Sequence, residues 1–176
     1  MKVVVAGGNG WLGRALCSSL AGDGHQVVVL SRQARPKLAA RQWDGRTLGP
    51  WADEIDGADA VVNLAGESIA GGRWNPARRQ VLIESRTQPT HALVAAIDRA
   101  SRRPAVLVNQ SAVGYYGDRG DATVTEADPP GGDFLARLVV DWEAAAKPAE
   151  ALGVRVALIR TGVVMGPRGG ALAQMA

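Results

Sequence analysis

The chain has 176 residues, 47% of them hydrophobic and 21% charged, so it can bury one compact core but is too short for a second complete domain. Its formal net charge of +3 comes from arginines that are scattered without interleaved aromatic residues, a pattern that argues against a nucleic-acid partner. Its one cysteine allows no internal disulfide and no apolar run reaches membrane-spanning length, so we expect a cytoplasmic protein without a membrane partner.

Short apolar runs recur along the chain and predict strands. Five of them are strong, at residues 2–6, 26–30, 58–65, 105–111 and 154–160. Nearly continuous Val, Leu and Ile are typical of strands that are covered on both faces, which favours a parallel sheet. A weaker strand is predicted near residues 41–44.

Stretches of helical period separate these runs. The first predicted helix spans 11–21, and Asn75 followed by Pro76 predicts the N-cap and first position of a second. Pro89 should bend or restart that second helix. A third helix is predicted at about 133–152. Strands and helices that alternate in this way predict right-handed crossovers and a three-layer, doubly wound parallel α/β sheet.

The first strand runs into the stretch VVVAGGNGWLG, which fits two glycine fingerprints. Read from Gly8 it is G-x-G-x-x-G, the signature of ordinary dehydrogenase domains. Read from Gly7 it is G-x-x-G-x-x-G, the spacing of short-chain reductases and nucleotide-sugar epimerases. Backbone N–H groups at a helix start, with no Cβ in the way, suit a pyrophosphate. On this motif alone, a glycine-rich turn without a ligand stays open as the alternative.

The second strand ends in Leu30-Ser31-Arg32. An NAD-preferring domain places Asp or Glu at this point, where the carboxylate accepts hydrogen bonds from the ribose 2′-OH. An arginine with a hydroxyl beside it is instead suited to a 2′-phosphate, so the sequence points to NADP(H). The alternative is that Arg32 only solvates a loop.

Three later strands also end in small or polar residues. The first leads into NLAGES at 63–68, the second delivers Ser111 followed by AVGYYG, and the third ends as RTGVVMGP at 160–167. Open α/β sheets bind ligands at the carboxyl ends of their strands. These segments are therefore predicted to meet at a ligand site, although a packing turn would also use the Ala-Gly of the first.

These motifs, in the order GGNGWLG, SR, NLAGE, SAVGYYG, GGDFLARLVVDWEAAA and RTGVVMGPRGGAL, resemble the epimerase-like, atypical branch of the extended short-chain dehydrogenase/reductase superfamily over essentially the whole chain. The resemblance selects the G-x-x-G-x-x-G interpretation and implies one Rossmann domain over 1–176 that carries NADP(H). A surface-helix role for Arg86, where related members usually have Asn, stays open. The cofactor-binding residues that the resemblance implies are Gly7, Gly10, Trp11, Leu12, Gly13, Ser31, Arg32, Leu64, Ala65, Gly66, Arg86 and Val164.

The catalytic pattern of active short-chain reductases is only partly present. That pattern is a Ser, a Tyr and a Lys four residues after the Tyr, because the ammonium lowers the pKa of the phenol. Ser111 matches the Ser and is the predicted catalytic residue. On the helix that should carry the pair, one register supplies Leu135 and Val139 and the other supplies Phe134 and Leu138. Neither register offers a proton donor.

Other candidate groups are weaker. Tyr115 and Arg119 have the spacing of the missing pair but fall in a glycine-rich loop, and Tyr116 is expected to pack or to line the pocket. His25 and His91 have no partner at metal-ligand spacing, so no metal site is expected. Acidic residues in nearby loops are more typical of solvated charges than of general acids: Glu67, Asp118 and Glu126.

Two functions of different class follow from these patterns. The first is an NADP(H)-dependent oxidoreductase or epimerase-like enzyme with a non-standard proton donor and an unknown small-molecule substrate. The second is a nucleotide-binding protein whose cofactor regulates conformation or partner contacts without turnover. Family members continue beyond the position of Ala176, so we expect the chain to lack the C-terminal substrate region. The fold favours the first function, whereas the missing Tyr and Lys favour the second.

Overall fold

A parallel sheet of six strands forms the middle layer. The computed structural model describes residues 1–33, 40–166 and 169–170. The strands are β1 (Lys2–Ala6), β2 (Gln26–Ser31), β3 (Ala40–Gln42), β4 (Ala60–Asn63), β5 (Val106–Ala112) and β6 (Arg155–Thr161). They lie in the order β3-β2-β1-β4-β5-β6, and each neighbouring pair is parallel. The order reverses between β1 and β4, and such a switch point opens a crevice at the carboxyl ends of the strands.

All six predicted strands are therefore confirmed, including the weak one, which is β3. A short antiparallel pair, β7 (Met165–Gly166) and β8 (Gly169–Gly170), follows the sheet. The predicted fold class, a doubly wound Rossmann-type sheet, is also confirmed.

The described residues contribute three α-helices that cover the sheet: α1 (Trp11–Gly22), α2 (Pro76–Arg99) and α3 (Phe134–Ala146). The predicted N-cap is confirmed, since the Asn75 side chain accepts a hydrogen bond from the backbone N–H of Arg78 at 2.8 Å. Of the bend or restart predicted at Pro89, the restart is wrong, because α2 continues through this residue as one helix. The third helix ends earlier than predicted: Pro148 has no N–H to donate, and the chain tightens into a 3-10 helix over Lys147–Leu152.

Side chains alternate between the two faces of the sheet along each strand, so the core is divided into two clusters. Val3 and Val5 pack with the buried Cys17 of α1 on one face. Val4 on β1 and Leu93 on α2 belong to the larger cluster on the other face. Burial raises the pKa of the Cys17 thiol, in keeping with a small core residue. With both faces filled, the carboxyl edge is where the loops can form a site.

Candidate functional site

A cleft of about 800 Å³ lies at the carboxyl edge of the sheet, above the switch point between β1 and β4. Its walls are the glycine turn after β1, the end of β2, the turn after β3, the turn after β4 and one side of α2. The described lining falls in five segments, 7–10, 30–33, 43–46, 64–67 and 81–89. This position is the one at which open α/β sheets bind nucleotides.

The glycine turn shows which glycines the fold itself requires. Gly7 has a φ of +78°, and a Cβ there would lie 2.7 Å from the Leu64 carbonyl oxygen. A Cβ on Gly13 would collide with the carbonyl oxygen of Gly7, so that glycine allows α1 to pack against the turn. Gly10 differs, because its φ is −66° and its Cβ would have a single neighbour at 3.2 Å. A small side chain at Gly10 would require the carbonyl oxygen of Gly7 to shift by a few tenths of an ångström, a milder demand than at Gly7 or Gly13.

Ser31 and Arg32 stand on the β2 side of the cleft. The buried Ser31 Oγ accepts hydrogen bonds from the Asn9 side-chain amide at 2.6 Å and from the backbone N–H of Gln33 at 3.2 Å. Within residues 1–33 and 40–166, no group accepts the proton of this hydroxyl. Arg32 is 76% exposed, and its Nη2 lies 3.4 Å from Oε1 of Glu67. The side chains of Asn9 and Glu67 were not predicted as partners, because 22 and 35 residues separate them from Ser31 and Arg32.

The turn after β4 is fixed from inside the core. The buried amide of Asn63 donates to Thr90 Oγ1 at 2.9 Å and to Asn109 Oδ1 at 2.7 Å. Its carbonyl oxygen accepts from the backbone N–H of Ala65 at 3.1 Å. This network holds the 64–66 segment as a wall of the cleft, and sequence reasoning missed it. The available signal was an Asn directly after the apolar residues of two strands, Asn63 in β4 and Asn109 in β5.

Arg86 lies behind that same turn. It is 9% exposed, and its guanidinium donates to the carbonyl oxygens of Glu67 at 2.9 Å and Leu82 at 3.0 Å. The guanidinium packs beside Gly66, where a Cβ would lie 3.4 Å from the Arg86 side chain, at van der Waals distance. Burial lowers the pKa of Arg86, although it stays far above neutrality. The surface-helix alternative is wrong, and the geometry makes Arg86 a support of the cleft wall.

Ser111 does not face the cleft. The pleat of β5 turns its side chain toward α3, where it is fully buried and donates to Glu143 Oε1 at 2.5 Å. Glu143 is 4% exposed and also accepts two hydrogen bonds from Arg160, at 2.8 and 2.9 Å. Burial raises the pKa of Glu143, but hydrogen bonds from Arg160 and Ser111 outweigh it and hold the pKa below its usual range. This geometry does not support the predicted contact of Ser111 with a substrate.

The two tyrosines after β5 belong to the same cluster. Arg160 donates to the hydroxyl of the buried Tyr116 at 2.9 Å, and its guanidinium lies 3.5 Å from the centroid of the Tyr115 ring. Tyr116 therefore packs, as expected. Arg119 instead donates to the carbonyl oxygens of Tyr116 and Pro129, which braces the loop. The Tyr115–Arg119 spacing thus has no catalytic counterpart in the described residues.

Seven of the twelve predicted cofactor residues line the cleft: Gly7, Gly10, Ser31, Arg32, Leu64, Ala65 and Gly66. Gly13 and Arg86 support it from behind. The side chains of Trp11, Leu12 and Val164 lie outside the described lining. Within 1–33, 40–166 and 169–170, no group of three or more His, Cys, Asp or Glu residues is placed to hold a metal ion. The same ranges contain no helix that could span a membrane.

The sequence model of the NAD dependent epimerase/dehydratase family matches residues 3–175. The chain belongs to this family. An epimerase family protein of Mycobacterium bovis is 44% identical over 173 residues, which make up 98% of this chain and 57% of that protein. The resemblance found in the sequence is thereby confirmed, and this family member spans little more than half the length of that curated relative.

Solved structures of similar proteins show the same fold. A crystal structure of a human epimerase family protein with NADPH superposes with a TM-score of 0.87 at 36% identity, covering 99% of this chain and 58% of that one. The structure of a nucleoside-diphosphate sugar epimerase from Corynebacterium glutamicum gives a TM-score of 0.85 at 39% identity, covering 99% of this chain and 36% of that one. The Rossmann-type architecture of this family member thus agrees with both.

Proposed function

We propose that residues 1–176 form the NADP(H)-binding domain of an epimerase-like oxidoreductase of the atypical short-chain dehydrogenase/reductase type, cytoplasmic and acting on a small-molecule substrate. The observation that carries the proposal is the end of β2, where the cleft presents the Ser31 hydroxyl and the Arg32 guanidinium in place of an acid. A guanidinium beside a hydroxyl holds a 2′-phosphate through charge-assisted hydrogen bonds. The NADPH bound by the human relative supports this assignment.

The described residues fit such a ligand at two further points. The backbone N–H groups of Trp11 and Leu12 precede the first intrahelical bond, from Arg14 N to the Gly10 carbonyl at 2.9 Å, so they would hold the pyrophosphate. The methyl group of Ala65 and the absence of a Cβ at Gly66 would let the turn after β4 approach a ribose. When bound, the cofactor gives or takes the hydride of an oxidation–reduction step. The twelve predicted residues remain our assignment for its binding.

The buried position of Ser111 supports a second candidate function, a regulatory or sensor protein. Its hydroxyl already donates to Glu143, and α3 places the buried Leu138 and Val139 at two of the positions where a Tyr or Lys was sought. General acid help typically contributes about 10²- to 10⁴-fold to such a reaction. A domain that binds NADP(H) without this help would act as a regulatory or sensor protein, its cofactor changing conformation or partner contacts.

Calorimetric titration of NADPH and NADH into wild type and Arg32→Ala tests the cofactor assignment. Hydrogen bonds to charged groups contribute about 1.5 to 3 kcal/mol, so the variant should bind NADPH roughly tenfold or more weakly while its NADH affinity barely changes. Arg99→Ala, which removes an exposed arginine from the far end of α2, is the control for net charge. Equal affinities of the wild type for the two cofactors would refute NADP(H) selectivity.

The two candidate functions separate by turnover. NADPH absorbance is followed with a panel of aldehydes, ketones and nucleotide sugars in the presence of this chain. Because no general acid is placed at Ser111, we expect NADPH binding with little or no oxidation. Brisk turnover that is lost in Tyr115→Phe would instead establish an enzyme whose proton donor has moved to the turn after β5.

A further inference from the structure

We propose that Glu67 limits the preference of the cleft for NADP(H) over NAD(H) by competing with the ligand for Arg32. The inference rests on the proposed function, since it deepens the role of the same cleft. Glu67 follows β4 and Arg32 follows β2, and β1 with its glycine turn lies between them in the sheet. Their 3.4 Å ion pair therefore bridges the cleft from one wall to the other, and both residues line it.

Glu67 is the fixed partner of this pair. Its backbone N–H donates to Ser85 Oγ at 3.1 Å, and its carbonyl oxygen accepts from Arg86 at 2.9 Å, so both backbone groups are anchored to α2. Arg32, by contrast, has a side chain that is 76% exposed, and Glu67 is its one recorded hydrogen-bond or ion-pair partner among the described residues. Arg32 is accordingly the side chain that moves when a competing anion enters.

A second cation, Arg78, would still neutralise the Glu67 carboxylate after Arg32 leaves. Nη1 of Arg78 lies 3.8 Å from Oε2 of Glu67, whereas Arg32 contacts Oε1. Arg78 is held in turn by the Ser68 carbonyl oxygen at 2.5 Å. Release of Arg32 thus leaves the carboxylate paired, so exchange of partners is chemically balanced without a buried, uncompensated charge.

The exchange concerns only a ligand that carries a 2′-phosphate. NADP(H) must draw Arg32 away from Glu67, whereas NAD(H) presents a hydroxyl there and leaves the ion pair intact. Exposed ion pairs are weak, so the competition should reduce NADP(H) affinity by about two- to fivefold. Glu67 is therefore a specificity-determining residue that works against the selectivity supplied by Arg32.

The test is a double-mutant cycle on Glu67→Gln and Arg32→Ala, read by calorimetry with NADPH and NADH. Glu67→Gln keeps the shape and the anchored backbone, and we expect NADPH to bind about two- to fivefold more tightly with NADH unchanged. In the Arg32→Ala background this gain should vanish. Glu84→Gln is the matched control, since Glu84 also lines the cleft but lies near Arg46, at 3.9 Å.

The experiment distinguishes failure of the inference about Glu67 from failure of the proposed NADP(H) preference. Unchanged or weaker NADPH binding in Glu67→Gln would overturn the inference even if wild type prefers NADPH and Arg32→Ala removes that preference. A gain that persists without Arg32, or an equal gain in Glu84→Gln, would also overturn it, because simple charge repulsion would then suffice. A wild type that does not prefer NADPH would refute the proposed function itself, and the inference would fall with it.

Discussion

Glu143→Ala should strongly destabilise the folded chain, because Glu143 is the shared partner of Ser111 and Arg160. The substitution removes a carboxylate that is 4% exposed and accepts three hydrogen bonds, one from Ser111 and two from Arg160. It leaves the Ser111 hydroxyl unpartnered in the core and a guanidinium that is only 17% exposed without its counter-ion. Removing one partner of a buried ion pair costs about 3 to 5 kcal/mol. Because Arg160 keeps some contact with water, we expect a loss near the lower end, about 3 kcal/mol.

Urea unfolding followed by circular dichroism at pH 7 measures this loss. Ser111→Ala is the matched variant, since it removes one hydrogen bond to a charged group and should cost about 1.5 to 2 kcal/mol. A loss below about 1 kcal/mol for Glu143→Ala would refute the view that the cluster is a buried, mutually satisfied network.

The hydrogen-bonded carboxylate of Glu143 also predicts that the free energy of unfolding depends on pH. The pKa of Glu143 is lower in the folded chain than its ordinary value, so its ionisation stabilises the fold above about pH 4.3. That contribution is lost as the pH falls through the lower, folded pKa. Glu143→Gln has no such group, and the stability difference between wild type and this variant should therefore shrink on acidification. A difference that stays constant from pH 7 to pH 3 would contradict the shift.

Three further predictions concern the cleft and the core. Gly10→Ala should keep the fold by circular dichroism but weaken NADPH binding at least tenfold by calorimetry, whereas Gly13→Ala should unfold at lower urea, because its Cβ meets backbone atoms. Hydrogen bonds from the Thr47 hydroxyl and from backbone N–H groups lower the pKa of Asp44 to about 2, and Thr47→Ala should raise it toward its ordinary value in an NMR titration. Cys17, which is 1% exposed, should react with a thiol reagent only as fast as the chain unfolds; a burst of labelling in native buffer would show that α1 opens locally.

The elements were predictable wherever the signal is local in sequence. Runs of Val and Leu gave the strands, and Asn75 followed by Pro76 gave the start of α2. The errors came from prolines whose effect depends on surroundings. Pro89 is buried and α2 carries on through it, whereas Pro148 follows the last turn of α3 and leaves only a 3-10 continuation.

Site residues could be predicted where they are adjacent to a strand in sequence, but contacts between residues far apart in sequence could not. Ser31 and Arg32, which line the cleft, could be proposed from the sequence because they directly follow a recognisable apolar run. Glu143 was missed as the partner of Ser111, since 32 residues separate them and the pleat of β5 decides which way the hydroxyl points. A single sequence shows which residue ends a strand. The face of the sheet toward which that residue's side chain points is decided by the register of the strand in the folded sheet.

Asn63 and Asn109 are register partners in the parallel pairing of β4 with β5, and their side-chain amides are joined in the core. A slip of one residue between these strands would turn one amide to the opposite face and leave it in an apolar layer without a partner. The pair therefore raises the free energy of sheets in which β4 and β5 are misaligned. Since Asn63 also accepts a hydrogen bond from the backbone N–H of Ala65, the alignment of β4 with β5 and the shape of one wall of the cleft depend on the same side chain.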